Sequence, residues 1–203
     1  MGDLIGVTSI LTISLITFFI GSMWRGIRTI LFVALIVRVL LIILGNYIVL
    51  PDSDGDGYES VAWTLAQNGV YDVLINFKGP NSWFISWIIA IPYSIFGRSL
   101  LLAQSLSLFF GMGCVFLSCL LANKLFDTQT SKKVGWIVAL FPSLALYSTI
   151  VMREVYVTFF LLLAFFGIVN WVRSGSLKSI ILTLLGFVGG TFFHGGIFIG
   201  ALI

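Results

Sequence analysis

The sequence predicts an all-α fold: a polytopic transmembrane helix bundle with an outer-face loop that carries short interfacial helices. Composition is the first reason. Hydrophobic residues make up 59% of the chain and charged residues only 9%, where soluble domains carry about 25% charge, and the mean hydropathy is +1.11. Apolar runs also recur at about the 20-residue length that a helix needs to cross a bilayer. Finally, Lys and Arg concentrate in alternate connections between those runs, which is the pattern that orients a multi-span protein.

The first run, 4–23, has no basic n-region before it and no small-residue cleavage site after it, so it reads as a span with its N-terminus outside rather than a signal peptide. A second run covers 30–50, and Arg25 and Arg28 lie between the two. Residues 51–98 form a long external loop. Within it, 81–97 is short for a crossing, contains Pro92, and holds Trp83, Trp87 and Tyr93, residue types favoured at membrane interfaces. We therefore read it as an interfacial or re-entrant helix, preceded by a short amphipathic helix around YESVAWTLAQNG. Further spans follow at 99–123, 134–151, 155–172 and 179–203.

Lys124, Lys132 and Lys133 separate the third and fourth spans, and Arg173 and Lys178 the fifth and sixth. With Arg25 and Arg28, they place three loops in the cytoplasm. The acidic stretch after Pro51, the Arg153-Glu154 junction and the residues after His194 then face outside. A complete crossing at 81–97 would instead put the Lys-rich loop outside. Residues 1–203 form a single membrane domain, here expected to lie in a bacterial plasma membrane. The ending FFHGGIFIGALI stops within an apolar segment, as in the N-terminal part of a longer protein. A net charge of +3 distributed in this way does not point to nucleic acid. Cys114 and Cys119 lie in an apolar run without metal-ligand spacing.

Four of the eight acidic residues fall within PDSDGDGYE, residues 51–59. Such a stretch can be a solvated external loop. It can also be a calcium site, since Asp52, Asp54, Asp56 and Gly57 reproduce the D-x-D-x-D-G opening of an EF-hand loop. Position twelve of that loop would be Trp63, which cannot supply the closing bidentate carboxylate. A third reading is a catalytic site: carboxylates at the mouth of a bundle are partly desolvated and suited to taking a proton, and the intervening glycines let two of them share a pocket.

Among the other charges, Arg38 sits mid-span and should bond a polar group inside the bundle. Arg153 and Glu154 lie at a helix boundary on the outer side, where Glu154 can join the aspartates and Arg153 can neutralise a phosphate. His194, the only histidine, and Lys78 lie at the same predicted level.

An Asp after the first external helix end, a Tyr four positions on and a small residue one turn later resemble the GT-C superfamily of membrane glycosyltransferases, in its protein O-mannosyltransferase and aminoarabinose transferase branch. Asp54, Tyr58 and Ala62 match that spacing. GPNSWFISWIIAIPYSIFGRSLLLAQSL, the LANKLF loop and LFPSLALYSTIVMREVYVTFFLLL are similar to later parts of the pattern. Glu154 takes the place of a second acidic residue that opens a later helix, where the family more often has Asp. The resemblance implies transfer of a sugar from a polyprenyl-phosphate donor to a glycan, lipid or protein acceptor at the external face. It implies Asp54 as general base, with Asp56 and Glu154 as further catalytic carboxylates, and Asp54, Asp56 and Glu154 as tentative ligands for Mg²⁺ or Mn²⁺. Tyr58, Lys78, Arg153 and His194 would contact the substrate. A non-enzymatic protein binding Ca²⁺ through DSDGDG, and a glycan polymerase or transporter component, are the competing classes. A transporter would need more polar residues near the midplane than Arg38 and scattered Ser and Thr.

Overall fold

The computed structural model describes residues 2–45, 53–77 and 79–197. Among them the chain forms α-helices, one 3₁₀ turn and no strand, so the molecule is an all-α bundle. Helix α1 (Gly2–Met23) turns through a 3₁₀ segment (Arg25–Ile27) into α2 (Arg28–Gly45). Helices α3 (Ser53–Ala66), α4 (Val70–Ile75) and α5 (Phe84–Phe96) follow. Helix α6 (Leu100–Leu125) leads to α7 (Thr128–Leu140), α8 (Pro142–Tyr147), α9 (Arg153–Ser174) and α10 (Leu177–Phe193).

Four helices are long and apolar enough to cross a membrane: α1, the 3₁₀–α2 unit, α6 and α9. The chain is thus membrane-embedded. Its surface agrees, since Leu4, Leu15, Phe18, Phe19, Leu184 and Val188 are all more than half exposed in the isolated chain. Lipid covers such side chains at no cost, whereas water would not.

α6 is the central helix, with α1, α7 and α9 packed along it. Ser99 caps its start by accepting from the Leu102 N–H. Asp127 caps α7 by accepting from the Thr130 N–H at 2.7 Å, and that bond lowers its carboxyl below the usual range. Glycines let helices approach closely. A side chain on Gly113 would strike Phe159, and one on Gly186 would strike the Ala164 backbone, so α6, α9 and α10 meet at small residues. The α9–α10 turn ends on Gly175, left-handed at φ 62°, whose N–H reaches the Trp171 carbonyl at 2.8 Å.

The segment read as one span over 134–151 is two helices. Pro142 has no N–H and drives Phe141 out of the helical region to ψ 115°, so α7 stops at Leu140 and α8 restarts on the proline. The break leaves carbonyls at the end of α7 without helical partners, and Arg38 takes one of them. Its guanidinium is fully buried and donates to Ala139 O at 3.0 Å, Ala34 O at 3.1 Å and Ser148 Oγ at 2.8 Å. The bond expected of Arg38 thus goes to Ser148 and to backbone freed by Pro142.

The two turns at Trp24–Ile27 and Phe126–Thr128 lie at one end of the bundle, where residues of both line a shared cavity. The start of α1 lies at the other end, with Gly6 against Ser99, Leu101 and Leu102 of the α6 start. Helices α3 to α5 cover that end.

Candidate functional site

The acidic stretch is helical from Ser53 onward rather than a loop. An EF-hand opening needs an irregular turn to wrap its ion, and the described part of DSDGDG is regular helix instead. Asp56 is exposed on the first turns of α3. Tyr58 is half-buried and sets its ring edge-on to Trp83 with centroids 5.4 Å apart, while its carbonyl accepts from Ser86 Oγ at 2.8 Å. Pro51, Asp52, Lys78 and the side chain of Asp54 lie outside the described residues.

The acid that α3 turns inward is Glu59. It shares a helix face with Ala62 and Ala66, three and seven positions on, and all three are buried against α5 and the start of α6. Arg98 grips it in a fork, with Nε 2.9 Å from Oε1 and a terminal nitrogen 2.6 Å from Oε2. The Tyr93 hydroxyl lies 3.0 Å from Glu59 Oε1 and donates to Ser99 O at 2.8 Å. Burial, with the Glu59 carboxylate beside it, holds that phenol protonated far above its ordinary range. The Glu59 carboxylate also raises the Arg98 guanidinium. This triad fastens α3 to the α5–α6 corner. Sequence reasoning did not single out Glu59 or Arg98; the available signal was the 59, 62, 66 spacing, which puts an acid on the face of two alanines.

The corner itself turns on Gly97, at φ 88° and ψ 170°, a conformation essentially restricted to glycine. Trp63 adds an edge-to-face contact on Tyr93 at 6.4 Å.

α9 starts recessed. The Tyr156 hydroxyl lies 3.2 Å from Ser107 Oγ and its ring 4.5 Å from that of Phe110. Cys114 Sγ lies 3.6 Å from Val155 O. At 1.5 Å per residue, these partners lie about 10 to 21 Å along α6 from its start, so α9 begins well inside the bundle. Arg153 and Glu154 therefore sit deeper in the bundle than the start of α6. Arg153 Nε is 3.5 Å from Glu154 Oε1, and both side chains keep partial exposure, 32% and 44%. Glu154 Oε2 is buried and has no hydrogen-bond partner among the described residues.

One hydrophobic cluster joins these pieces. It packs Ala62 and Ala66 of α3 with Tyr93 of α5, Val155 and Tyr156 of α9 and Phe193 of α10, and Tyr58 and Trp63 lie against it. His194 follows directly as the exposed C-cap of α10, its N–H bonded to Gly190 O. Asp56, Tyr58, Arg153, Glu154 and His194 thus belong to elements that meet in one hydrophobic cluster. No group of three His, Cys, Asp or Glu side chains suited to hold a metal occurs among the described residues.

Beside this cluster, α3, α4 and the start of α5 enclose a cavity of about 430 Å³. Its polar lining is Thr64, Asn68, Asp72, Asn76 and Asn81, and Trp83 and Trp87 stand on its α5 side. Sequence reasoning missed it too, although LAQNGVYDVLINFKGPNSWF alternates amides with aromatics through that region. Compared with protein-family models, with curated proteins and with solved structures, the chain matches none.

Proposed function

We propose that this chain is the membrane domain of a glycosyltransferase that takes a sugar from a polyprenyl-phosphate donor and passes it to a hydroxyl or amine of a glycan, lipid or protein at the external face. The recessed start of α9 carries the reading. A carboxylate whose buried oxygen has no hydrogen-bond partner among the described residues lies there beside a guanidinium, in the helix whose next turn shares a hydrophobic cluster with α3. Such a place suits a lipid-linked headgroup, because the lipid tail can stay among apolar helices while the polar part reaches the carboxylates.

In the proposed reaction Asp54, assisted by Asp56, takes the proton from the acceptor. The acceptor heteroatom forms a bond to the anomeric carbon as the bond from that carbon to the phosphate oxygen breaks. The electron pair leaves with the polyprenyl phosphate, and Arg153, with Lys78 and His194 as further positive or hydrogen-bonding groups, stabilises the charge that develops there. Glu154 orients Arg153 and supplies the second carboxylate of the site. Tyr58 contacts the sugar.

The test is transfer by the full chain in proteoliposomes from a radiolabelled polyprenyl-phosphate sugar to a supplied acceptor. Asp54→Asn and Glu154→Gln should each lower the rate at least 100-fold, in the range set by loss of a general base, with Gln129→Ala unaffected. Wild-type transfer rates in both variants would remove the site.

A further inference from the structure

We propose that the cavity between α3, α4 and the start of α5 is a binding site for a neutral saccharide, whether or not the chain transfers sugars. Its volume of about 430 Å³ lies within the range of small-ligand sites, roughly 300–1,000 Å³. What distinguishes it is the lining. One carboxylate and three amides converge on it, and the structure holds them in place. Asp72 Oδ2 accepts from Asn68 Nδ2 at 3.3 Å, and Asn76 Nδ2 donates to the Asp72 carbonyl at 3.0 Å. Asn81 is fixed by its bonds to Gly79 O and from the Trp83 N–H. Asp72 Oδ1 takes no bond among the described residues and is left as an acceptor, as are amide oxygens of Asn68 and Asn76.

The aromatic residues complete the case. Phe77, Phe84 and Trp87 pack on one another, with Phe77 and Trp87 centroids 4.5 Å apart and Phe84 and Trp87 stacked at 14°. The Trp87 indole N–H is committed to Val73 O at 2.7 Å. These rings form a wall rather than a cage around a central point, which disfavours a quaternary ammonium ligand. Trp83, in contact with the Tyr58 ring and 49% exposed, is the platform that remains open. A flat apolar ring facing acceptors and amide donors matches a pyranose, which has one C–H face and a rim of hydroxyls that both donate and accept.

The rim indicates where the ligand arrives. Tyr71 of α4 is 78% exposed, and Leu74 and Ile75 beside it are more than half exposed. An exposed apolar helix with aromatic neighbours lies at the lipid–water boundary, so the sugar enters at headgroup level, from solution or on a lipid.

The full chain in lipid nanodiscs is examined by saturation-transfer NMR with methyl β-glucoside, methyl α-mannoside, methyl N-acetyl-β-glucosaminide and lactose. At least one should bind saturably. Asp72→Asn should weaken that binding about tenfold or more, the effect of losing a hydrogen bond to a charged group, and Trp83→Ala should abolish it. Trp171→Phe, at the far end of α9, should leave it unchanged. Circular dichroism checks that each variant keeps its helices. A glycosyl diacylglycerol in the disc that displaces the soluble glycoside assigns the lipid-borne source; failure to displace assigns the soluble source, and either supports the site. Absence of saturable binding by all four sugars, binding that survives both cavity variants, or a response to phosphocholine alone would overturn it.

Discussion

A guanidinium in the middle of an apolar helix costs roughly 2.5–3.5 kcal/mol on insertion scales, and Arg38 offsets that cost with three hydrogen bonds. Each bond from a charged donor contributes about 1.5–3 kcal/mol, so the set outweighs the penalty even though one terminal nitrogen has no partner among the described residues. The partners matter as much as the charge. Ala139 O is the carbonyl exposed by the Phe141–Pro142 break, and Arg38 donates to it at 3.0 Å. Replacing Arg38 by methionine removes the insertion penalty but strands this carbonyl, while the Ser148 hydroxyl keeps its bonds to Leu144 O and Ala145 O. We expect Arg38→Met to destabilise the purified protein by about 2 kcal/mol net, read as earlier thermal unfolding in detergent. Unchanged unfolding would mean that the α7–α8 break is satisfied without Arg38. Glu59 follows the opposite logic: its carboxylate is buried while Arg98 keeps half its side chain in solvent, so that pair fixes geometry more than it adds stability.

Most of the helices were legible in the sequence because lipid imposes a simple rule, about 20 apolar residues per crossing. α1, α2, α6 and α9 follow it, and their expected ranges fall close to the observed ones. The rule fails where length is ambiguous. Residues 134–151 are apolar enough to suggest one helix, and only the local effect of Pro142 on the residue before it divides them. Composition is equally silent about which glycines are structural. Helices α9 and α10 pack closely because Gly186 faces Ala164 and Gly189 faces Phe160. A Cβ at Gly186 would meet backbone atoms, which cannot rotate away. Gly186→Val is therefore expected to force the two helices apart and cost at least about 1–3 kcal/mol, the usual penalty of overpacking. Gly26→Ala, where nothing lies within reach of an added Cβ, serves as the neutral control. Equal melting temperatures for the two variants would show that the seam tolerates separation.

At the level of the whole molecule, the site was less legible than the bundle, and for a physical reason. Single charged residues such as Asp54, Asp56 and Glu154 stand out against an apolar background, so they attract attention wherever they lie. The cavity at Asp72 and the Glu59–Arg98 fork depend instead on how α3, α4 and α5 fold over the bundle end, which no one-dimensional pattern specifies. The elements are sorted by side: α3 to α5 pack at the α6 start, opposite the 3₁₀ turn that carries Arg25 and the last turn of α6, which carries Lys124. If the basic turns face the cytoplasm, as the distribution of Lys and Arg predicts, α3 to α5 face outward. The chain is well suited to a direct test, because its two cysteines, Cys114 and Cys119, are both buried and give little background labelling. Cysteines introduced at exposed positions, Ser60→Cys on α3 and Gln129→Cys at the start of α7, report the two ends separately. In intact cells a membrane-impermeant maleimide should label the cysteine at position 60 and leave that at 129 untouched, with 129 labelled only after permeabilisation. The reverse pattern would turn the bundle over and place the carboxylates with cytoplasmic substrates. Labelling of both positions in intact cells would mean that α5 crosses the membrane and that α7 begins on the same side as α3.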